Sequence, residues 1–156
     1  MNLFYKDLKS FGGRIIKMEQ NTKQLIEILM QGLQDEMNSA YNYIALAGRH
    51  GDAALKQAFL NYASEELKHA KKLMQMLQEL DAVVEDVPVV LDEMDDLYLY
   101  LIEYMAREES AVFYYEALSQ LMPEPEVQQL CREMRGEEQM HLNGMRALLQ
   151  QVKEQG

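Results

Sequence analysis

The sequence predicts an all-α protein: a four-helix bundle made of two antiparallel hairpins joined by a long crossover. Three observations predict it. Apolar residues recur every three or four positions through four long segments, and nothing alternates with the period of a strand. Of the connections between those segments, one is long and extended in character while the others are tight breaks. The chain also matches itself at a shift of 72 residues, so its two halves read as two copies of one hairpin.

Residues 1–21, "MNLFYKDLKSFGGRIIKMEQN", read as an N-terminal extension, mildly basic and interrupted by Gly12–Gly13, a poor continuous helix. Thr22 is positioned to cap a first helix that runs to about Arg49. "HGD" at 50–52 breaks the chain, and Asp52 caps a second helix reaching about Leu80. Residues 81–91, "DAVVEDVPVVL", carry β-branched residues and a proline and read as extended chain. Asp92 is placed to cap the third helix, which ends near Met122. "MPEPE" at 122–126 is a short turn, because Pro123 and Pro125 stop and restart helix. The fourth helix reaches about Val152, so residues 22–152 form one bundle and 153–156 a tail. An extended segment the length of 81–91 spans at most about 36–40 Å. That is close to the length of a bundle helix at about 1.5 Å per residue, so the segment can return along the bundle to start a second hairpin.

Each helix carries a seam of inward positions. The first reads Leu29, Leu33, Glu36, Ala40, Tyr43, Ala47, and the second Leu55, Phe59, Tyr62, Glu66, His69, Leu73, Met76, Leu80. The third reads Leu97, Leu101, Tyr104, Glu108, Ala111, Tyr115, Leu118, Met122, and the fourth Val127, Cys131, Met134, Glu138, His141, Met145, Leu148, Val152. Every seam is apolar or aromatic except at its middle, where each helix inserts a glutamate and two helices add a histidine. The repeat fixes the register: Glu36 maps on Glu108, Tyr43 on Tyr115, Glu66 on Glu138 and His69 on His141. It selects Glu108 over Glu109, and Glu65, Glu109 and Glu137, about 100° round their helices from the seam, read as surface charge.

Helix midpoints meet at one level in an antiparallel bundle, so Glu36, Glu66, His69, Glu108, Glu138 and His141 converge in an apolar core. Burying one uncompensated carboxylate costs several kcal/mol, and no Lys or Arg lies on any seam. Four carboxylates with two imidazoles therefore call for two divalent cations. Oxygen-rich ligation with one imidazole per ion suits iron or manganese, and zinc binds such sites opportunistically. Tyr43 and Tyr115 lie seven residues past Glu36 and Glu108 on the same seams, where they either pack in the core or hydrogen-bond a ligand carboxylate.

The whole composition narrows the function. A formal net charge of −11 opposes nucleic-acid binding. The single cysteine, Cys131, forms no internal disulfide or CxxC site and fits the reducing cytoplasm. No apolar run reaches the roughly 18 residues of a membrane span.

The ligand arrangement resembles the ferritin-like di-iron carboxylate proteins. Within them it is most similar to the rubrerythrin type, whose helices carry Glu-x-x-Ala-x-x-x-Tyr followed by Glu-x-x-His. Here the first motif reads "EMNSAYNY", with Ser39 at the Ala position, and "EESAVFYY"; the second reads "EELKH" and "EEQMH", over about residues 22–152. The resemblance implies that Glu66 and Glu138 bridge two iron ions, that Glu36 and Glu108 are terminal carboxylates, and that His69 and His141 each bind one ion. It implies oxidation of the di-ferrous site by peroxide or O₂ and re-reduction by an external electron donor protein. Two features depart from the pattern. No Cys-rich rubredoxin segment is present, and Met105 and Ala111 stand where the family places a second third-helix carboxylate. With no fifth helix after the fourth, the expected assembly is a homodimer. The alternative to an oxidoreductase is an iron-binding and storage protein with ferroxidase activity.

Overall fold

A computed structural model describes the backbone of residues 3–155 and the side chains of residues 20–154. It contains α1 (Leu3–Arg49), α2 (Ala53–Glu79), α3 (Leu97–Leu121) and α4 (Pro125–Gln155), with no strand among the described residues. The α1/α2 and α3/α4 hairpins pack as two tight pairs, and the segment between α2 and α3 is extended. The four-helix bundle with a long crossover is therefore the observed fold.

Most seam positions are buried; Leu55, Tyr62, Leu80, Leu97, Ala111, Val127, Leu148 and Val152 are half-buried. A second buried stripe lies beside them, including Leu46, Ala63, Ala70, Leu77 and Tyr100, where helices of one hairpin press together. The core divides into two apolar clusters on either side of the polar centre. One is aliphatic and Met-rich around Leu33, Leu73, Leu118 and Met134; the other is aromatic around Tyr43, Phe59, Tyr100 and Tyr104.

Caps and turns explain the element ends. Asp52 accepts the Leu55 N–H at 2.7 Å and starts α2 as expected. At its C-terminal end, Ala82 N–H bonds Leu77 O and Asp81 N–H bonds Gln78 O, both at 3.0 Å, a Schellman closure with Asp81 at φ 54°. Three expectations need correction. Helix α1 runs unbroken through Gly12–Gly13, and Thr22 lies within it rather than capping it. Two glycines cost only about 1 kcal/mol each in a helix, which flanking helix-formers such as Leu8, Lys9, Arg14 and Lys17 can offset. The packing of the extension rests on side chains 1–19, outside the described residues. Lastly, Asp96 caps α3 by accepting the Leu99 N–H at 3.1 Å, while Asp92 stays in the extended segment.

Asp92 is held elsewhere because the crossover is laced to the bundle. Along α1, Gln34, Asn38, Asn42 and Arg49 reach the crossover backbone. Gln34 donates to Pro88 O, and Asn38 accepts from Val90 N–H at 3.0 Å. Asn42 donates to Val90 O at 2.8 Å and accepts from Asp92 N–H at 2.7 Å, while Arg49 donates to Met94 O and Asp92 O. Rising numbers on both strands of this ladder show that the crossover runs parallel to α1. The chain is thereby returned to the end of the bundle where α3 must begin, which makes α3 antiparallel to α1.

Candidate metal centre

The six seam residues meet at the centre of the bundle, all of them buried. They form two overlapping groups whose candidate ligand atoms lie within 4.8 Å of one another: Glu36, Glu66, His69 and Glu138, and Glu66, Glu108, Glu138 and His141. Glu66 and Glu138 belong to both groups. Glu36 and Glu108 each belong to one group, as does each histidine.

Interlocking contacts set this geometry. Tyr43 of α1 donates to Glu108 of α3, and Tyr115 of α3 donates to Glu36 of α1. His69 of α2 faces Glu137 and Glu138 of α4, and His141 of α4 faces Glu65 and Glu66 of α2. Each of these contacts has its counterpart in the other half of the chain, so the repeat appears in space as a pseudo-twofold centre.

The ring orientation of the histidines is informative. Their Nδ1 atoms point inward: His69 Nδ1 lies 2.7 Å from Glu138 Oε1, and His141 Nδ1 lies 3.0 Å from Glu66 Oε1. Their Nε2 atoms point outward, to Glu137 Oε2 at 2.7 Å and Glu65 Oε2 at 2.5 Å. An ionised carboxylate only accepts hydrogen bonds, so Nε2 carries a proton, and Nδ1, once it gives up its own proton, presents its lone pair inward. Glu65 and Glu137 are thus not idle surface charge, as their place on the helical wheel implies. Each reaches across to the histidine of the neighbouring helix and orients it. Glu109 is exposed, as expected.

The inner atoms show what the centre lacks. Glu66 Oε1, Glu108 Oε2, Glu138 Oε1 and both Nδ1 atoms are buried with no hydrogen-bond partner, although they lie close together. Native interiors rarely leave such atoms unsatisfied, let alone five facing one another. Close approach without hydrogen-bond alignment is how ligands stand around a cation, so the donor set fits two divalent ions of the oxygen- and nitrogen-binding kind.

Electrostatics without metal shows the same demand for positive charge. Burial pushes the Glu66 carboxyl well up, with Glu36 and Glu138 adding repulsion. Burial also raises Glu108, to about 7. Burial opposes the charge of Glu138 as well, but the imidazoles of His141 and His69 outweigh it and hold the carboxyl at about 2. For His69 burial favours the neutral ring, yet Glu138, Glu36 and Glu66 push it up to about 12. His141 is raised in the same way by Glu108, Glu138 and Glu66. Protons thus take the place of metal charge in the metal-free centre.

A cavity of about 590 Å³ leads to the centre between α1 and α3. Glu36, Glu66, Glu108 and Glu138 line it, whereas His69 and His141 do not. Ala111, where the resemblance calls for a carboxylate, lines this cavity, and Met105 packs in the aromatic cluster. The four carboxylates, and not the two imidazoles, therefore face this cavity.

Fold and site together define a ferritin-like helical bundle with a paired carboxylate–histidine centre. The rubrerythrin family model matches residues 27–149, and the chain belongs to that family. Among solved structures, the chain is similar to a ferritin-like diiron-carboxylate protein from Bacillus anthracis str. Ames, with a TM-score of 0.76 at 22% identity, covering 83% of this chain and 97% of that one. It is also similar to the Desulfovibrio desulfuricans bacterioferritin, with a TM-score of 0.73 at 18% identity, covering 87% and 84%. No curated protein matches the chain in sequence. Among the described residues, no helix is long and apolar enough to cross a membrane.

Proposed function

We propose that this chain is a di-iron oxidoreductase of the cytoplasm that reacts with peroxide or O₂ and is re-reduced by an external electron donor. The observation that carries the reading is the set of five orphaned, buried ligand atoms facing one another, reached by a cavity from the carboxylate side. Glu66 and Glu138 would hold both ions, Glu36 with His69 one, and Glu108 with His141 the other. The two similar solved proteins are a diiron-carboxylate protein and a bacterioferritin with a diiron site, and iron is the metal we assign here over manganese or zinc. Bound iron would supply the redox couple and the Lewis acidity that activate peroxide or O₂.

The chain's own residues do the rest. Tyr43 and Tyr115 donate to the outer carboxylates and hold Glu108 and Glu36 in position. Glu65 and Glu137 fix the imidazole tautomers. The apolar clusters above and below exclude water, which strengthens every interaction inside. Stopped-flow mixing of the di-ferrous protein with peroxide tests the reading: rapid ferric absorption is expected, and its absence refutes the proposal.

A second reading, iron uptake with oxidation, has support from the further acids on the cavity wall, Asp35, Asp92 and Glu103. We favour a homodimer formed through the α1/α2 hairpin, where Tyr41, Ile44, Leu60 and Leu67 are exposed. The repeat equivalents of the last three are Glu116, Arg132 and Gln139, so these three positions are apolar only in this hairpin, although α3 and α4 expose Phe113, Ile102 and Met140 elsewhere. Sedimentation after iron loading separates the two readings: a dimer that keeps only two irons per chain is no storage cage.

A further inference from the structure

The aromatic cluster on one side of the centre forms a continuous path. Tyr62 packs on His141, with ring centroids 4.8 Å apart, and on Tyr43 at 5.7 Å. Tyr43, which donates to Glu108, lies 5.1 Å from Tyr104. Tyr104 stacks on Tyr100 at 4.0 Å with the rings 5° from parallel. The Tyr104 hydroxyl donates to Asp92 Oδ2 at 2.7 Å, and Arg107 donates to that hydroxyl at 3.0 Å. Arg107 also lies over the Tyr104 ring at 4.5 Å and pairs with Asp92 at 3.0 Å. Arg107 and Asp92 line the mouth of the cavity and are partly exposed. The path therefore starts at a proposed metal ligand and ends at solvent.

The internal repeat supplies a control. In the other half of the centre, the residues equivalent to Tyr62, Tyr100 and Tyr104 are Met134, Ile28 and Gly32. The stretch from Tyr43 to the surface is thus not a by-product of the duplicated fold. Nor does the opposite cluster carry such a file of rings: it is mainly aliphatic and methionine, with Tyr114 and Tyr115 as its tyrosines and Tyr114 lying against Gly32.

We propose that Tyr104, with Asp92 as its proton acceptor, is a one-electron relay between the metal centre and the surface. The inference rests on the redox reading above and gives the external electron donor its point of delivery. In the step, Tyr104 would pass one electron through Tyr43 to iron held by the six ligands and oxidised by excess peroxide, and that iron would take up the electron. The phenolic proton passes along the existing hydrogen bond to the Asp92 carboxylate, leaving a neutral phenoxyl radical. A soluble one-electron reductant at the cavity mouth returns the electron, and Asp92 returns the proton. Arg107, paired with Asp92 at 3.0 Å, holds that carboxylate against the Tyr104 hydroxyl. Burial and neighbouring acidic groups hold the Tyr104 hydroxyl well above the usual phenol range, so electron loss must be coupled to this proton transfer rather than to prior ionisation. Tyr104 also ties α3 to the crossover, a purely structural role that yields no radical.

The test is rapid freeze-quench electron paramagnetic resonance of the di-ferrous protein mixed with peroxide. A tyrosyl signal is expected in the wild type and in Tyr98→Phe, a tyrosine off the path. It is expected to be lost in Tyr104→Phe and weakened in Asp92→Asn, which keeps an oxygen acceptor for the hydroxyl but takes up no proton. Ascorbate should quench it. Iron oxidation with no radical, or with the same radical in Tyr104→Phe, overturns the relay and leaves the redox reading standing. If iron is not oxidised, the redox reading fails, and the tyrosine–aspartate pair is decided in the metal-free protein by flash oxidation with a photoexcited ruthenium complex and persulfate. There, loss of the phenoxyl absorption in Tyr104→Phe, with helicity unchanged, supports the pair, and an equal yield overturns it.

Discussion

At the scale of single residues, the centre depends on side chains that bind no metal in the scheme proposed. Glu65 and Glu137 are more than a third exposed, so their removal should barely change stability. Their effect lies in aiming His141 and His69. Glu137→Ala and Glu65→Ala are expected to weaken metal affinity roughly 10- to 100-fold, measured by competition with a chromophoric chelator. Unchanged affinity would show that core packing alone orients the rings. The protonation of the centre gives a second expectation. Glu108, raised to about 7, and His69, raised to about 12, must both lose protons before they bind a cation. Metal affinity should therefore rise with pH across neutrality, with protons released on loading, as calorimetry in buffers of different ionisation heat will register. Both groups bind protons more tightly folded than unfolded. Their contribution to metal-free stability is full below the ordinary values of 4.5 and 6.5 and is lost as pH rises through about 7 and toward 12. Chelated protein should melt lower at mildly alkaline than at mildly acid pH, and this slope should flatten once metal replaces the protons.

At the scale of elements, the crossover makes the centre two-sided, because its parallel course along α1 lets α3 descend antiparallel. Asn42 holds two of its backbone groups at once, Val90 O and Asp92 N–H. Asn42→Ala leaves both without their partner and should cost about 1–3 kcal/mol, read by denaturant unfolding together with faster amide exchange at Asp92. A neutral result would mean that the crossover docks by apolar contact alone. This ladder was not legible in the sequence. Gln34, Asn38 and Asn42 stand four residues apart on α1, which reads equally well as a solvated face, and nothing local distinguishes water from a strand as the partner. Asp92 was misplaced as the α3 cap for the same reason, since its carboxylate is engaged by Tyr104 and Arg107 from the following helix. Gly12–Gly13 misled in the opposite direction, because local propensity is a weak guide within a long helix. Glu65 and Glu137 read as surface charge because helical spacing fixes which way a side chain points from its own axis but not which neighbour it meets. The six central residues could be read because a charge on an apolar seam is conspicuous, and the 72-residue repeat pairs each with a counterpart.

At the scale of the whole molecule, the bundle has an apolar core with an acidic centre whose charge is unmatched by any buried lysine or arginine among the described residues. The two halves contribute equally to that centre, so neither hairpin holds a complete set alone, and cation binding should tie them together. Loading should consequently raise the stability of the fold as a unit, by an amount that grows with the logarithm of metal concentration over the dissociation constant. The central claim is that these six side chains form a site for two ions. It is tested most directly by anaerobic titration of the metal-free protein with ferrous ion, with bound metal quantified by elemental analysis after dialysis. The account predicts tight, saturable uptake of two ions per chain, lost when Glu66 and Glu138 are both replaced by alanine. No retained metal, or uptake unaffected by that double replacement, would contradict it.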